Sequence, residues 1–438
     1  MTSLLLRGRL LSFLTEPEGL DDRASYRFAE DGGLLVEDGA IVAMGDYAAV
    51  AARAPAGVET IDHRPHLILP GFIDAHAHMP QMQVIASYGA ELLTWLSDYT
   101  FPEETKYRDP RHSRRFARHF LDELVRHGTT TVAAYCSVHR ASAEALFSEA
   151  LARDMLIVAG KVMMDRNAPD GLTDTPQSSY DDTRALISEW HGRGRLHYAV
   201  TPRFAITSSP EQMEMAGQLM REFPDLHMQT HLSENHAEIA WTRELYPDAL
   251  DYTDVYARYG LLGAKALFGH CVHLSEREAD ALSESGSVAV FCPTSNLFLG
   301  SGLFDYQRYR ARARPLRIAA ATDVGGGTNY SMLRTMDEGY KVIALQGKKL
   351  NPLAAFWQIT LGNARALSLD SRVGTLDEGT DADIVVLDAR ATPAMALRME
   401  TVETLAQELF LLQTLGDDRA VAEVYVAGKP AKGGMGQG

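Results

Sequence analysis

The segment LILPGFIDAHAH, residues 67–78, decides the fold of this chain. It is an apolar run that ends in His76-Ala77-His78. Seven more apolar runs follow it, separated by longer amphipathic stretches: TTTVAAYC (129–136), MLIVAGKVMM (155–164), LHYAVTPRF (196–204), LHMQTHLSEN (226–235), ALFGHCVH (266–273), SVAVFCPTSN (287–296) and RIAAATDVGGG (317–327). Such runs are typical of strands that are buried on both faces of a parallel sheet. Eight of them predict an α/β fold whose sheet closes into a (β/α)₈ TIM-type barrel.

The two ends of the chain have a different pattern, with short alternating strands and turn signals. They include LLVEDGAIVAMG (34–45), where Asp38-Gly39 is a hairpin signal, VGTLDEGTDADIVVLD (373–388) and AVAEVYVAGKP (420–430). We therefore predict that residues 1–66 and 371–438 form one composite β-sandwich. The barrel, residues 67–370, is inserted between them.

The composition excludes several classes of partner. The formal net charge is −16, from 58 acidic and 42 basic residues, whereas proteins that bind nucleic acid usually present a basic face. Arg7 and Arg9 interrupt the apolar N-terminal run, which is predicted to be a strand, and no apolar stretch reaches the ~18 residues of a membrane span. The three cysteines have no CxxC spacing. We expect a cytoplasmic protein with no nucleic-acid or membrane partner.

Polar side chains follow several of the predicted strands at their carboxyl ends, where barrel enzymes place their sites. His76 and His78 are two residues apart, so the period of a strand puts both imidazoles on one face. The remaining candidates are His231, Glu234, His270 and Asp323. Any one of these residues alone is more often structural, but together they indicate a site for a divalent transition metal, with Asp323 or Glu234 as the base.

A nucleophilic cysteine is the rival chemistry. Cys271 and Cys292 lie near His270 in sequence or at a strand end. Neither has the helix N-terminus or the separate basic partner that activates a thiolate, so the sequence favours the metal site.

At PGFIDAHAH the chain resembles the amidohydrolase superfamily, and the resemblance extends over essentially the whole sequence. Further segments are similar to the guanine deaminases within it. They are HAHMPQ (76–81), LLTWLSDYTFPEETKY (92–107), TPRFAITSS (201–209), THLSEN (230–235), FGHCVHLS (268–275), CPTSNLFLGSGLF (292–304) and ATDVGGGTNYSMLRTM (321–336). The resemblance implies a metal-dependent aminohydrolase that converts guanine to xanthine and ammonia, commonly as a homodimer.

The resemblance also implies the metal ligands, which are His76, His78, His231 and Asp323. It implies one divalent ion, with zinc the usual metal and Fe²⁺ the alternative. His270 is expected beside the metal, and whether it is itself a ligand stays open. Strand 4 ends in Arg203 and offers no lysine to bridge two metals. Lys161 is the nearest lysine, but it lies in the middle of a strand.

The expected mechanism assigns roles to the remaining candidates. A metal-bound hydroxide attacks C2 of guanine, Asp323 takes the proton of the water, and Glu234, which is not a ligand, protonates the neighbouring ring nitrogen. Arg203 has the fork that suits a purine O6/N7 edge, Gln81 can both donate and accept, and Phe204 is expected on the purine face.

Three alternatives remain open from the sequence. The first is a deaminase of another amino-heterocycle, such as 8-oxoguanine, a pterin or a triazine. The second is a cyclic amidohydrolase, which a bridging lysine on strand 4 would favour. The third is an inactive scaffold, which missing ligands would indicate.

Overall fold

The computed structural model describes residues 3–89 and 91–433. Its strands are β1 Ser3–Phe13, β2 Tyr26–Glu37, β3 Ala40–Asp46, β4 Glu59–Pro70, β5 Phe72–His78, β6 Thr129–Tyr135, β7 Leu156–Gly160, β8 Val162–Met163, β9 Leu196–Pro202, β10 His227–Leu232, β11 Ala266–His270, β12 Val288–Phe291, β13 Arg317–Ala320, β14 Ile384–Leu387, β15 Val421–Val426 and β16 Lys429–Pro430.

The helices connect and flank these strands. They are α1 Tyr47–Ala51, α2 Leu92–Trp95, α3 Phe101–Glu104, α4 Pro110–Arg126, α5 Arg140–Ala152, α6 Pro176–Trp190, α7 Pro210–Glu222, α8 His236–Leu245, α9 Tyr252–Arg258, α10 Glu276–Ser285, α11 Pro293–Phe298, α12 Tyr306–Arg310, α13 Met332–Leu345, α14 Pro352–Trp357, α15 Asn363–Ala366, α16 Pro393–Met399 and α17 Leu405–Leu415. A π-helical turn, Leu96–Thr100, joins α2 to α3, and a second one, Gln358–Gly362, joins α14 to α15. None of the helices described here is long and apolar enough to cross a membrane.

The barrel forms as predicted. Its parallel strands follow the order β5, β6, β7, β9, β10, β11, β12, β13, and β8 pairs with β9. Alternate residues of β7 contribute to different apolar clusters. Leu156 and Val158 pack with residues of the other barrel strands, whereas Ile157 and Ala159 belong to the cluster that contains the surrounding helices. Both faces of the strand are therefore buried, which explains its continuous apolar sequence.

The seam between β5 and β13 closes the barrel next to the predicted site. The His78 amide donates to the Val324 carbonyl (2.5 Å), and the Asp323 amide donates to the His76 carbonyl (2.9 Å). Deeper in the barrel, the side-chain amide of Asn363 donates to a backbone carbonyl of each strand, at 2.6 and 2.8 Å. The two strands that carry predicted metal ligands are thus fixed relative to each other.

The two chain ends form one further sheet, with the order β16, β15, β14, β4, β1, β2, β3. The small domain built from both ends is confirmed, and its strands are hydrogen-bonded into a single mixed sheet. The Asp38-Gly39 signal is also confirmed: both residues have positive φ (46° and 85°) between β2 and β3, which a type I′ turn requires.

The segment 67–78 is two strands instead of one. β4 includes Leu67–Pro70, where it pairs with β14, and β5 begins after Gly71. A strand of the terminal sheet therefore crosses the boundary that we placed after residue 66, because Leu67, Ile68 and Leu69 complete the core of that sheet as well as leading into the barrel. The division into 1–66 with 371–438 and 67–370 otherwise stays a prediction.

A buried ion pair joins the barrel to the terminal sheet. The Arg195 guanidinium, just before β9, donates to both carboxylate oxygens of Asp383, just before β14, at 2.9 and 2.5 Å. Both side chains are less than a tenth exposed. Asp381 Oδ2 also lies 3.0 Å from Arg195 Nε, so removing Asp383 takes away both hydrogen-bonded carboxylate oxygens and leaves this largely buried guanidinium with one carboxylate partner.

Asp383→Ala is therefore expected to lower the free energy of unfolding by about 1.5–3 kcal/mol, measured by urea denaturation of the metal-loaded protein. The matched control is Glu378→Ala, because Glu378 pairs with Arg53 where both side chains are more than half exposed, and it should change stability little. Equal stability of the two variants would contradict a structural role for the buried pair.

Candidate active site

The sequence-predicted ligands converge at the carboxyl ends of the barrel strands. His76 and His78 end β5, His231 lies near the end of β10, His270 ends β11 and Asp323 follows β13. His231 is partly buried and the other four are buried. The tertiary structure thus brings together residues that are up to 247 positions apart, from His76 to Asp323.

Four of these side chains point their donor atoms at a common centre. His78 Nε2 lies 3.1 Å from His76 Nε2 and 3.2 Å from His231 Nε2. Asp323 Oδ1 lies 3.4 Å from the Nε2 atoms of both His76 and His78. Four ligands at about 2.1 Å from a tetrahedral ion are separated from one another by roughly 3.4 Å. The donor set and its spacing therefore fit one divalent transition metal.

The imidazoles of His78 and His231 are in the neutral state that metal binding requires. Burial lowers the pKa of His78 to about 3, and burial together with the neighbouring imidazoles holds the pKa of His231 well below its usual value. His231 Nδ1 lies 2.7 Å from the Arg203 carbonyl, to which a neutral imidazole donates from this nitrogen. The Nε2 lone pair of His231 is then directed at the metal centre.

Asp323 is held as a carboxylate. Burial alone would raise the pKa of its carboxyl, but hydrogen bonds with His76 and His78 and charge interactions with His76 and His270 keep that pKa well below its usual range. The backbone that follows Asp323 lies close to the backbone of Gln81. A Cβ on Gly325 would lie 2.3 Å from the Gln81 carbonyl oxygen. This close approach of the two backbone segments explains the glycines that follow Asp323, and a phosphate-binding function does not.

His270 differs from the other three histidines in its partners. The Asn296 side-chain amide donates to His270 Nδ1 (2.9 Å), so Nε2 carries the hydrogen of the neutral ring. His270 Nε2 lies 3.3 Å from Glu234 Oε2 and 3.9 Å from Asp323 Oδ2. A ring with its hydrogen on Nε2 donates toward these oxygens. The donor atoms of His76, His270 and Asp323 also lie within 4.8 Å of one another, so His270 stands at the edge of the ligand set.

Glu234 is a buried acid beside the metal-ligand cluster, which consists of His76, His78, His231 and Asp323. Burial, and next the negative charges of Asp323 and Glu238, raise its pKa well above the usual value. The Ser301 hydroxyl donates to Glu234 Oε1 (2.9 Å), which leaves Oε2 facing His270. Glu238 fixes the turn that presents Glu234, since its Oε2 accepts from the Glu234 amide (2.9 Å). Glu234 therefore keeps its proton to higher pH than an exposed glutamate.

The polar side chains of Arg203 and Gln81 form a wall of the site next to the metal-ligand cluster. Arg203 Nη1 donates to Glu104 Oε2 (2.6 Å), and Gln81 Nε2 donates to Glu104 Oε1 (3.0 Å). Gln81 Oε1 in turn accepts from the Gly325 amide (3.3 Å). The Arg203 guanidinium also lies over the Phe101 ring, 5.5 Å from its centroid. Gln81 and Arg203 therefore have fixed orientations at the wall of the site.

The metal-ligand cluster and this wall face one cleft. It is lined by His78, Gln81, Leu92, Trp95, Leu96, Arg203, Phe204, His231, Glu234, Glu238, His270, Leu299, Asp323 and Gly326. The site residues that we predicted thus line this cleft, except His76, whose Nε2 contacts that of the lining residue His78. The apolar side chains among the lining residues offer surface for a flat ring.

Several residues of the site were missed by the sequence reasoning. Glu104, Asn296 and Ser301 each bond to a predicted site residue across 23 to 99 positions of sequence. Glu104 lies in a segment that we used only for the family resemblance, and no spacing rule relates it to Arg203. Glu238 could have been predicted as a structural residue, because Asn235 and Glu238 have the spacing of a capping box and form one at the start of α8.

The rival chemistries find no support in the described residues. Burial raises the pKa of the Cys271 and Cys292 thiols well above the usual value, which disfavours a thiolate nucleophile. Lys161 is buried and donates to Asp174 (2.5 Å) and to the Val162 carbonyl (3.2 Å). This pairing occupies the Lys161 amine, which argues against Lys161 as a lysine that bridges two metal ions.

Comparison with known proteins agrees with this geometry. Residues 67–431 match the amidohydrolase family. The chain belongs to the amidohydrolase family. It is 46% identical to the guanine deaminase of Escherichia coli strain K12, over 97% of this chain and 96% of that protein. The predicted class of enzyme, a metal-dependent hydrolase related to the guanine deaminases, is thereby confirmed.

Solved structures of this family superpose closely on the chain. The structure of E. coli guanine deaminase gives a TM-score of 0.95 at 45% identity and covers 97% of this chain and 98% of its own. A guanine deaminase from C. acetobutylicum, with guanine bound in its active site, gives a TM-score of 0.85 at 30% identity, covering 98% and 99%. The predicted barrel with a small second domain is thereby confirmed over nearly the whole of this chain.

Proposed function

We propose that this protein is a guanine deaminase, which converts guanine and water to xanthine and ammonia. The observation that carries the proposal is one cleft that joins a His₃Asp donor set, a buried acid and an arginine–glutamine wall. A donor set alone would suit many hydrolases, whereas this wall offers hydrogen-bonding groups matched to a purine edge. The full-length similarity to guanine deaminases supports the same substrate.

His76, His78, His231 and Asp323 would hold one divalent metal ion, zinc. When bound there, the ion acts as a Lewis acid that makes the proton of a water easier to remove. Asp323, a carboxylate at the edge of the cluster, accepts that proton. The His270 N–H orients the oxygen that attacks the substrate, because its Nε2 faces Glu234 and Asp323.

Glu234 supplies the acid catalysis. Guanine is electron-rich, so attack at C2 needs a proton on the adjacent ring nitrogen. Glu234 donates that proton as the water oxygen bonds to C2. The C2–N bond to the amino group then breaks. Of the two protons of the water, one restores the acid form of Glu234 and the other leaves with the amino group as ammonia.

Arg203, Gln81 and Phe204 hold the ring. The Arg203 fork suits the O6 and N7 acceptors of guanine, as it does where arginine reads guanine in DNA. Gln81 supplies both a donor and an acceptor at the same wall. Phe204 lines the cleft next to His231, with 6.2 Å between ring centroids, and packs on the purine face.

Arg203→Ala is expected to raise KM for guanine about 100-fold, because it removes charge-assisted hydrogen bonds from a buried edge. The metal content should stay unchanged, since the Arg203 carbonyl that accepts from His231 belongs to the backbone. Steady-state kinetics and metal analysis measure both. Arg193→Ala is the control, because Arg193 lies over the Trp190 ring outside the cleft. An unchanged KM in Arg203→Ala would contradict its role.

Turnover of a panel of amino-heterocycles tests the proposed function. Purified protein of known metal content is assayed for ammonia, with ultraviolet detection of xanthine, on guanine, 8-oxoguanine, adenine, cytosine, a pterin and the triazine ammeline. Rapid turnover of guanine is the expected result. Protein that is inert on guanine but active on another ring would retain the chemistry and overturn the substrate assignment.

The setting of the reaction follows from the same proposal. Removal of the guanine amino group places the protein in purine catabolism. Three free, buried cysteines fit the reducing cytoplasm.

Exposed Leu297, Phe298 and Leu303, close together in the chain, provide apolar surface that the second subunit of a homodimer would cover.

A further inference from the structure

Glu104 is a buried carboxylate directly behind the arginine–glutamine wall. Its exposed fraction is 0%, and it is not among the residues that line the cleft. One carboxylate oxygen accepts from Arg203 and the other from Gln81, at 2.6 and 3.0 Å. Two cleft residues from different parts of the barrel are therefore held by one side chain that does not face the cleft.

This contact restricts the guanidinium of Arg203. Nη1 is occupied by Glu104, and the Phe101 ring lies under the guanidinium at 5.5 Å. Because the group is planar, fixing one nitrogen and one face determines where the remaining N–H groups point.

The same carboxylate determines the orientation of the Gln81 amide. Nε2 donates to Glu104 and Oε1 accepts from the Gly325 amide. Rotating the amide by 180° would place its oxygen against the carboxylate and its NH₂ group against an N–H donor. The amide therefore presents one defined pattern of donor and acceptor to the cleft.

Glu104 also neutralises the wall. Arg203 is 2% exposed, and a buried cation without a counter-ion is strongly unfavourable. With the negative charge of Glu104 already beside Arg203, no anionic group of the substrate is needed. The wall is thus suited to an uncharged ring with acceptor atoms along one edge.

We infer that Glu104 is the positioning residue that sets the specificity of this site for a neutral purine with a 6-oxo group. The inference rests on the proposed function, which assigns the O6/N7 edge to Arg203. Glu104 acts through Arg203 and Gln81 and takes no part in the proton transfers.

The adjacent residue provides a matched control. Glu103 lies in the same helix, is largely buried, and pairs with Lys106, which is more than half exposed. Glu103→Gln therefore makes the same chemical change one position away, without altering the described contacts of Arg203 or Gln81.

The experiment compares Glu104→Gln with Glu103→Gln on two substrates, guanine and 2-aminopurine, which lacks the 6-oxo group. In Glu104→Gln an NH₂ group faces a donor of Arg203 or Gln81, so kcat/KM for guanine should fall roughly 10- to 100-fold, mainly through KM. On 2-aminopurine, where the bond to O6 is already missing, the fall should be less than about threefold. Metal content should not change.

Other results would overturn the inference. Equal losses on both substrates, loss of metal, or a KM for guanine like that of Glu103→Gln would each assign Glu104 a merely structural role. If Glu104→Gln folds poorly, Glu104→Asp keeps the charge but shortens the reach, and a wild-type KM in that variant would also refute the inference. Unaltered protein that is inert on guanine would instead overturn the proposed function, and this inference with it, before any variant is compared.

Discussion

Glu234→Gln is expected to lower kcat for guanine by about 10²- to 10⁴-fold while the protein keeps its metal. The amide has the shape of the acid and can still accept from Ser301, but it cannot transfer a proton to the ring nitrogen. Metal content should remain at the level of the unaltered protein, because Glu234 belongs to neither of the three-residue groups that could hold a metal ion among the described residues.

Single-turnover kinetics with metal analysis measures this result. Glu214→Gln, at an exposed position paired with Arg221, is the control and should behave like the unaltered protein. Because burial raises the pKa of Glu234, its acid form persists to higher pH than that of an exposed glutamate, and kcat should fall as the pH rises through that pKa. A variant with nearly normal kcat would exclude Glu234 as the acid.

Removing the metal is expected to abolish turnover, and one equivalent of zinc per chain should restore it. Without an ion, nothing makes the proton of the attacking water easier to remove at neutral pH. A metal that binds only the folded state also stabilises it, by about 4 kcal/mol at a free concentration of 1,000 times Kd, so the melting temperature should rise with the added zinc.

Titration of the metal-free protein, followed by activity and by metal analysis, separates one site from two. We expect activity to level off at one equivalent, because the described Lys161 is paired with Asp174 and does not bridge a second ion. His78→Ala should recover little activity at any zinc concentration. A plateau at two equivalents would contradict the single-metal site.

Much of the fold was predictable from local pattern. Strands buried on both faces are continuously apolar, and the HxH pair and the Asp38-Gly39 turn follow from backbone geometry alone. The segment 67–78 shows the limit of such reasoning. It has one unbroken apolar pattern, yet it serves two sheets, because Leu67–Pro70 pairs with a strand that lies more than 300 residues later in the chain.

The sequence by itself determined the barrel, the set of candidate ligands and the class of chemistry, because periodicity, residue type and a strand's carboxyl end are local properties. Only the tertiary structure decided that Asn296 sets the hydrogen of His270, that Ser301 holds Glu234, and that Glu104 orients both Arg203 and Gln81. These contacts join side chains on different elements, and their strength depends on burial and on distances of about 3 Å. Neither quantity is encoded in the spacing of residues along the chain.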